Sequence, residues 1–173
     1  PKKRDINMEQ TSFEIIVIGG SYSGLSAAMT FGRSLRQTLI IDSGNPCNRQ
    51  TPHSHNFITQ DGRKPAEIAG DALEQVLEYE TVRKVDDLVT DVRGEDRSFI
   101  VSTESGKIYK AKKLLFATGV KDIMPDIPGF VESWGITAIH CPYCHGYEAR
   151  GKNTGILVNS ESADEFAKLI NQW

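Results

Sequence analysis

The sequence predicts an α/β fold: a parallel sheet grown from a βαβ unit, with small antiparallel strands added to it, followed by the start of a second unit of the same kind. Three observations predict it. The run Phe13-Glu14-Ile15-Ile16-Val17-Ile18 is apolar and β-branched and breaks at Gly19-Gly20, as a buried parallel strand does. Leu25, Ala28, Met29, Gly32 and Leu35 then recur at helical spacing. A second short run, Thr38-Leu39-Ile40-Ile41, closes on Asp42.

The elements follow in order. Ser26, Ala27 and Ala28 are small enough to let the first helix lie close to the sheet. Residues 43–63 are rich in Gly, Pro, Asn, His and Ser and read as one long loop, a length that in compact domains usually carries function. Pro65 suits the first position of a helix whose apolar stripe is Ile68, Ala69, Ala72, Leu73 and Val76. Residues 81–113 read as strands with turns at Arg93-Gly94-Glu95-Asp96 and Glu104-Ser105-Gly106, and Leu114-Leu115-Phe116-Ala117 as a further buried strand. Pro125 to Gly129 reads as a linker, Thr154 to Val158 as a new strand, and Ala163, Phe166, Ala167 and Ile170 as a new helix. The expected organisation is a disordered segment over 1–12, a first domain over 13–122, and a linker with the beginning of a second domain over 123–173.

Composition narrows the class. An apolar fraction of 39% and a charged fraction of 25% over 173 residues are those of a globular protein. A net charge of −3 gives no reason to expect a nucleic-acid partner, and Lys2-Lys3-Arg4 is too short for a basic arm. The longest apolar run near the start is Ile15 to Ile18, too short for a membrane span or a signal core, so no membrane partner is expected and the location reads as cytoplasmic. The chain opens on Pro1, and Met8 looks like a natural start; residues 1–7 are set aside in reasoning about the fold.

Gly19-Gly20-Ser21-Tyr22-Ser23-Gly24 carries the first chemistry. In a GxGxxG loop the first glycine makes the tight turn, the second lets backbone approach a pyrophosphate, and the third lets the helix pack on the strand. Gly19 and Gly24 hold the first and third places and Ser21 stands in the second. Asp42, at the end of the second strand, is placed to accept from ribose hydroxyls. Strand, loop, helix, strand and acid together predict a Rossmann-like dinucleotide site; the bland alternative is an ordinary glycine turn with a solvated strand-end acid.

Cys141-Pro142-Tyr143-Cys144 carries the second. Two thiols at this spacing can close into a disulfide and reopen, moving two electrons, and His140 and His145 flank them. Zinc is the competing use, but four donors within residues 140–145 would strain a tetrahedral site. Three cysteines do not make a secreted disulfide framework. The third, Cys47, reads as an ordinary loop cysteine. His53 and His55 stand on the long loop, where they either tune a bound group or serve as loop polar residues.

Taken together, several motifs carry a resemblance. Ile18 to Ala28 resembles the FAD loop of two-dinucleotide-domain flavoproteins, Phe116-Ala117-Thr118-Gly119 their ATG motif, and Pro125-Asp126-Ile127-Pro128-Gly129 the linker that follows it. Cys141-Pro142-Tyr143-Cys144-His145-Gly146-Tyr147-Glu148 resembles the signature of thioredoxin reductase-like proteins, including the fungal dithiol oxidases of the gliotoxin type. The resemblance spans residues 13–173.

It implies an FAD-dependent thiol-disulfide oxidoreductase acting on a small dithiol or disulfide, or on a thioredoxin-like protein, with a homodimer as the full-length parent. It implies FAD contacts from Gly19, Gly20, Ser21, Ser23, Gly24, Asp42, Ser43, Asn48, Arg49, Asn56, Val89, Thr118 and Gly119. Cys144 would face the flavin, Cys141 would exchange with substrate, and His145, where thioredoxin reductases usually carry Asp, would move the proton. The second loop, Asn159-Ser160-Glu161-Ser162-Ala163, has no glycine, which argues against NADPH bound in the usual way: either the acceptor is another, such as oxygen, or the loop binds NADPH differently. The family's chain continues past the point matched by Trp173, so the sequence reads as the N-terminal half of such an enzyme; the alternative is an inactive nucleotide-binding fragment. The bulky aromatics Trp134, Tyr147 and Trp173 read as packing residues.

Overall fold

The computed structural model describes residues 10–159 and 161–173. The chain forms two compact units: the described residues up to Cys47 with Ala69–Lys121, and Asn48–Ile68 with Asp122–Trp173. The first is built on a six-stranded sheet. Its strands are β1 (Ser12–Ile18), β2 (Thr38–Asp42), β3 (Val82–Asp86), β4 (Val89–Glu95), β5 (Ser98–Thr103) and β6 (Ile108–Phe116), in the order β3-β2-β1-β6-β5-β4. β1 pairs in parallel with β2 and β6, β2 pairs in parallel with β3, and β4-β5-β6 are antiparallel. Helix α1 (Tyr22–Arg33) joins β1 to β2, and α2 (Pro65–Leu77) precedes β3.

Alternation along the central strands separates two cores, as a two-residue side-chain period requires. Val17 and Ile40 face one way, onto Leu25 and Ala28 of α1 and Val76 of α2. Ile16, Ile18, Leu39 and Ile41 face the other way and gather Val101, Tyr109 and Ala111. β1 and β2 are apolar on both faces because both faces are covered, which is why their sequences read as continuous runs. Gly32 lets α1 close on its neighbours: a Cβ there would stand 2.7 Å from Cβ of Tyr79.

Several expectations are corrected. Leu35 lies beyond the end of α1, in the left-handed region and 77% exposed, so the helical spacing stops at Gly32. Ala28 lies against the sheet while Ser26 is exposed. The first hairpin turns at Asp96–Arg97; Gly94 and Glu95 stay in β4 and pair with Phe99 and Ser98. Residues 114–116 are the end of β6, not a separate strand, and Phe116 is exposed. Ser12 already belongs to β1, and the rest of the expected disordered segment, apart from residues 10 and 11, lies outside the described residues.

The second unit holds the turns of residues 48–63, α3 (Phe130–Ser133), α4 (Pro142–Ala149) and α5 (Ala163–Ile170). Residues 154–158 form no strand: they are exposed and no described residue pairs with them along a ladder. A β-branched run acquires strand structure only from a neighbour that takes up its backbone groups.

Candidate functional site

In the first unit, the β1–α1 loop is drawn tightly over the ends of the neighbouring strands. The Gly19 N–H donates to the Ile41 carbonyl at 2.8 Å, and the Ala117 N–H donates to the Ile18 carbonyl at 2.8 Å. Gly19 has φ +109°, and a Cβ there would stand 2.2 Å from the Ala117 oxygen. A Cβ on Gly24 would stand 1.9 Å from the Gly19 oxygen, which is why the helix can begin this close to the strand. The Gly20 N–H donates to Oδ1 of Asp42 at 3.1 Å, so the strand-end acid also anchors the loop.

Ser21 is the N-cap of α1, with extended backbone and no side-chain capping hydrogen bond, and no acidic residue stands in the first turn. Backbone approach without Cβ atoms, a helix N-terminus free of negative side chains, and a carboxylate with a second oxygen to offer fit a dinucleotide's diphosphate and ribose. Thr118 and Gly119 continue directly from Ala117, Ser43 follows Asp42, and Ser23 lies in the first turn of α1. Val89 opens β4, where the register shifts. Asn48, Arg49 and Asn56 belong to the second unit, where Asn56 adopts positive φ and its N–H donates to Oδ1 of Asp61 at 2.8 Å.

In the second unit, Cys141 and Cys144 form a disulfide with a Cα–Cα separation of 5.3 Å. Their local sequence makes the helix that carries them. Cys141 is the N-cap of α4 and Pro142 takes the first helical position, where its fixed φ is already helical and its missing N–H costs nothing. The Cys144 N–H donates to Sγ of Cys141 at 3.2 Å, and the His145 N–H donates to the Cys141 carbonyl at 3.2 Å. Both sulfurs therefore sit at the positive end of a helix with no acid in its first turn, a setting that favours thiolate once the bond opens.

Three of the four histidines cluster with this helix. His145 is half-buried; burial holds its imidazole below the usual histidine value, His55 and His140 add to that, and Glu148 opposes it. The rings of His55 and His145 stand at 88° to each other with centroids 6.3 Å apart. Nδ1 of His55 lies 3.6 Å from Oδ1 of Asp61 and its Nε2 3.5 Å from Oε1 of Glu148. His53 lies 6.4 Å from His55, with Nδ1 2.9 Å from the Gly62 carbonyl oxygen. His140 is turned to Trp134, stacked at 5.3 Å, while the Trp134 indole N–H donates to Asp122.

Trp134 and Trp173 pack as read. Gly146 gives Trp173 room: a Cβ would come within 3.0 Å of its indole. Tyr147 does not pack inside; it is 65% exposed, with the Arg150 guanidinium 4.0 Å from its ring centroid. Cys47 is an exposed free thiol.

The structure thus brings together Gly19, Gly20, Gly24 and Asp42 in one unit, and Cys141, Cys144, His145 and His55 in the other. Sequence reasoning missed the acidic partners of His55. The available signal was the i, i+3 spacing of His145 and Glu148, which puts both on one face of α4. Of the second loop, Ser160 lies outside the described residues; Asp164 and Glu165 fill the first turn of α5.

Residues 13–160 match the family described as pyridine nucleotide-disulphide oxidoreductase. The chain is similar to the thioredoxin reductase tcpT of Claviceps purpurea, 39% identical over 148 residues that make up 84% of this chain and 46% of that protein. It is similar to the thioredoxin reductase sirT of Leptosphaeria maculans, 37% identical over 84% of this chain and 46% of that one. Among solved structures, an oxidoreductase from Agrobacterium tumefaciens superposes with a TM-score of 0.90 at 42% identity, over 94% of this chain and 55% of that chain. The chain spans about half the length of the relatives it matches.

Proposed function

The chain belongs to the pyridine nucleotide-disulphide oxidoreductase family, and from that premise we propose that it is the part of an FAD-dependent thiol-disulfide oxidoreductase that carries the redox pair Cys141/Cys144. The observation that carries this reading is the disulfide seated on the N-terminus of α4, with His145 next in the chain. When bound, FAD accepts or supplies the electron pair.

The chain's own residues do the rest. The glycine loop and Asp42 hold the dinucleotide, with Ser21 and Ser23 offering hydroxyls beside the α1 amides. Ser43, Val89, Thr118 and Gly119 would add contacts from the same unit. Cys144 is the sulfur that would face the flavin; Cys141 is the sulfur that a dithiol's thiolate attacks when the pair is a disulfide, or that itself attacks a disulfide substrate when the pair is reduced. His145, whose proton affinity burial holds below the usual histidine value, accepts a proton from a thiol and returns it to a departing thiolate. Small dithiols and thioredoxin-like proteins both suit an exchange at Cys141. A cytoplasmic, homodimeric parent enzyme completes the reading.

Oxygen as the electron acceptor, in place of NADPH, is the second reading. A specific observation favours it. Where a second phosphate loop would lead into a helix, residues 159–163 contain no glycine and α5 opens on Asp164 and Glu165, whose charge opposes a phosphate.

An absorption spectrum of the purified chain tests the main reading. Flavin bands should be present or appear on adding FAD, and should bleach when a dithiol is added. Cys144→Ser should keep the bands and lose disulfide turnover. A chain that binds no FAD, or a Cys144→Ser variant that turns over, refutes it.

A further inference from the structure

Resting on the reading of Cys141/Cys144 as a redox pair served by His145, we propose that His55 and Glu148 are positioning residues for the proton that His145 exchanges. They act as one coupled pair that reaches His145 from the loop of residues 48–63 and from α4 itself.

The geometry carries this. His55 has a carboxylate near each ring nitrogen, Asp61 of its own loop 3.6 Å from Nδ1 and Glu148 of α4 3.5 Å from Nε2. Its ring stands at 88° to that of His145, with centroids 6.3 Å apart. The His55 side chain is 22% exposed and that of Glu148 45%. Glu148 stands three residues after His145 on an eight-residue helix and therefore on the same face. It lies against His55 while acting on His145, so changing either residue alters what His145 faces. The charged and titratable groups facing His145 are His55 from the loop, Glu148 from α4 and His140 from the segment before α4; those facing His55 are Asp61, Glu148, His53 and His145. A charge on His55 lowers the affinity of His145 for a proton and the charge on Glu148 raises it.

The step they serve balances without any further reactant when the reductant is dithiothreitol. One thiol of dithiothreitol gives its proton to the His145 imidazole as its sulfur bonds Sγ of Cys141; the S–S bond breaks, and Cys144 leaves as a thiolate that takes that proton from His145. The sulfur of the second thiol then displaces Cys141, and its proton goes to the departing Cys141 thiolate. The products are the cyclic disulfide of the reductant and two protein thiols, with two electrons and two protons transferred.

The test is a double-mutant cycle on the chain, with His55→Gln, Glu148→Gln and the double substitution, all at partly exposed sites and checked by far-UV circular dichroism. The first readout is the NMR titration midpoint of the His145 ring, which needs neither flavin nor turnover. His55→Gln should raise it. Adding Glu148→Gln in that background should lower it again, whereas Glu148→Gln alone should shift it by a different amount, because it also frees the His55 ring that Glu148 contacts. The second readout is the rate of disulfide opening by dithiothreitol, normalised to reductant thiolate and followed against pH; its half-maximal pH should move with the His145 midpoint in every variant.

Additive midpoint shifts, or a midpoint that neither substitution moves, overturn the pairing. So does a rate profile that His55→Gln leaves in place while Cys144→Ser still prevents closure and reopening of the pair; the redox reading then survives. If the wild-type disulfide does not open, the redox reading fails on its own, and the midpoints still decide whether His55 and Glu148 act together.

Discussion

At Gly19 the backbone meets two constraints at once, φ of +109° and a Cβ position 2.2 Å from the Ala117 carbonyl oxygen. Either would be costly alone: the conformation about 1–3 kcal/mol and the overlap about 1–3 kcal/mol. Gly19→Ala should therefore destabilise the first unit by roughly 2–5 kcal/mol in urea unfolding. Gly44 also has positive φ, +71°, but nothing lies within 4 Å of its Cβ position. Gly44→Ala should lose only the conformational part, about 1–2 kcal/mol. Equal losses at the two sites would mean that loop closure over Ala117 is not what Gly19 provides. Asp42 makes a related point about legibility. Its place at the end of β2 was readable from chain spacing, but its bond to the Gly20 N–H crosses 22 residues and follows from the parallel register of β1 on β2. No local pattern carries that register.

At the scale of elements, what was readable is what local chemistry decides. β1, α1 and β2 came from unbroken apolar runs and a helical period, and α2 from Pro65 at its first helical position with an apolar stripe behind it. What was not readable depends on partners. β6 is a single strand of nine residues, although Lys110, Lys112 and Lys113 interrupt its apolar pattern. It pairs with β5 through Ile108–Ala111 and with β1 from Lys110 onward, so different stretches answer to different neighbours. Residues 154–158 show the converse, a strand-like sequence with no ladder. The meeting of His55 with His145 was hidden for the same reason, since 90 positions of chain separate them. The end of α1 provides a measurable case. Leu25 is 2% exposed and packs against Val17 and Ile40, whereas Leu35, which continues the same sequence period, is 77% exposed. Leu25→Ala should cost about 2–5 kcal/mol, and Leu35→Ala should stay within about 0.5 kcal/mol of wild type. Comparable losses would place the helix end beyond Leu35.

At the scale of the molecule, the two units carry different titrating groups and should respond to acid at different pH. Three carboxylates of the first unit are held below their ordinary values: Glu14 first by the Gln37 N–H, Asp87 first by the Ser105 hydroxyl, and Asp96 first by the Lys113 ammonium. Their stabilisation is complete above the ordinary carboxylate values, 4.5 for Glu and 3.8 for Asp, and fades only as pH falls through the lower folded values. His145 in the second unit is shifted in the same direction with a different consequence. Its folded value lies below the ordinary 6.5, so as pH falls through 6.5 the unfolded chain takes up a proton that the folded chain resists. Stability is then lost between 6.5 and the lower folded value. The probes are separable, because both tryptophans, Trp134 and Trp173, lie in the second unit and all six strands lie in the first. Urea midpoints read by tryptophan fluorescence should begin to fall just below pH 6.5. Midpoints read from the sheet signal in circular dichroism should hold until below about pH 4.5. His145→Gln should flatten the fluorescence midpoints over the upper window and leave the sheet midpoints unchanged. Fluorescence midpoints that still fall just below pH 6.5 in that variant would remove His145 as the acid-sensitive group of the second unit, and with it the argument that burial lowers the proton affinity of this imidazole beside the disulfide.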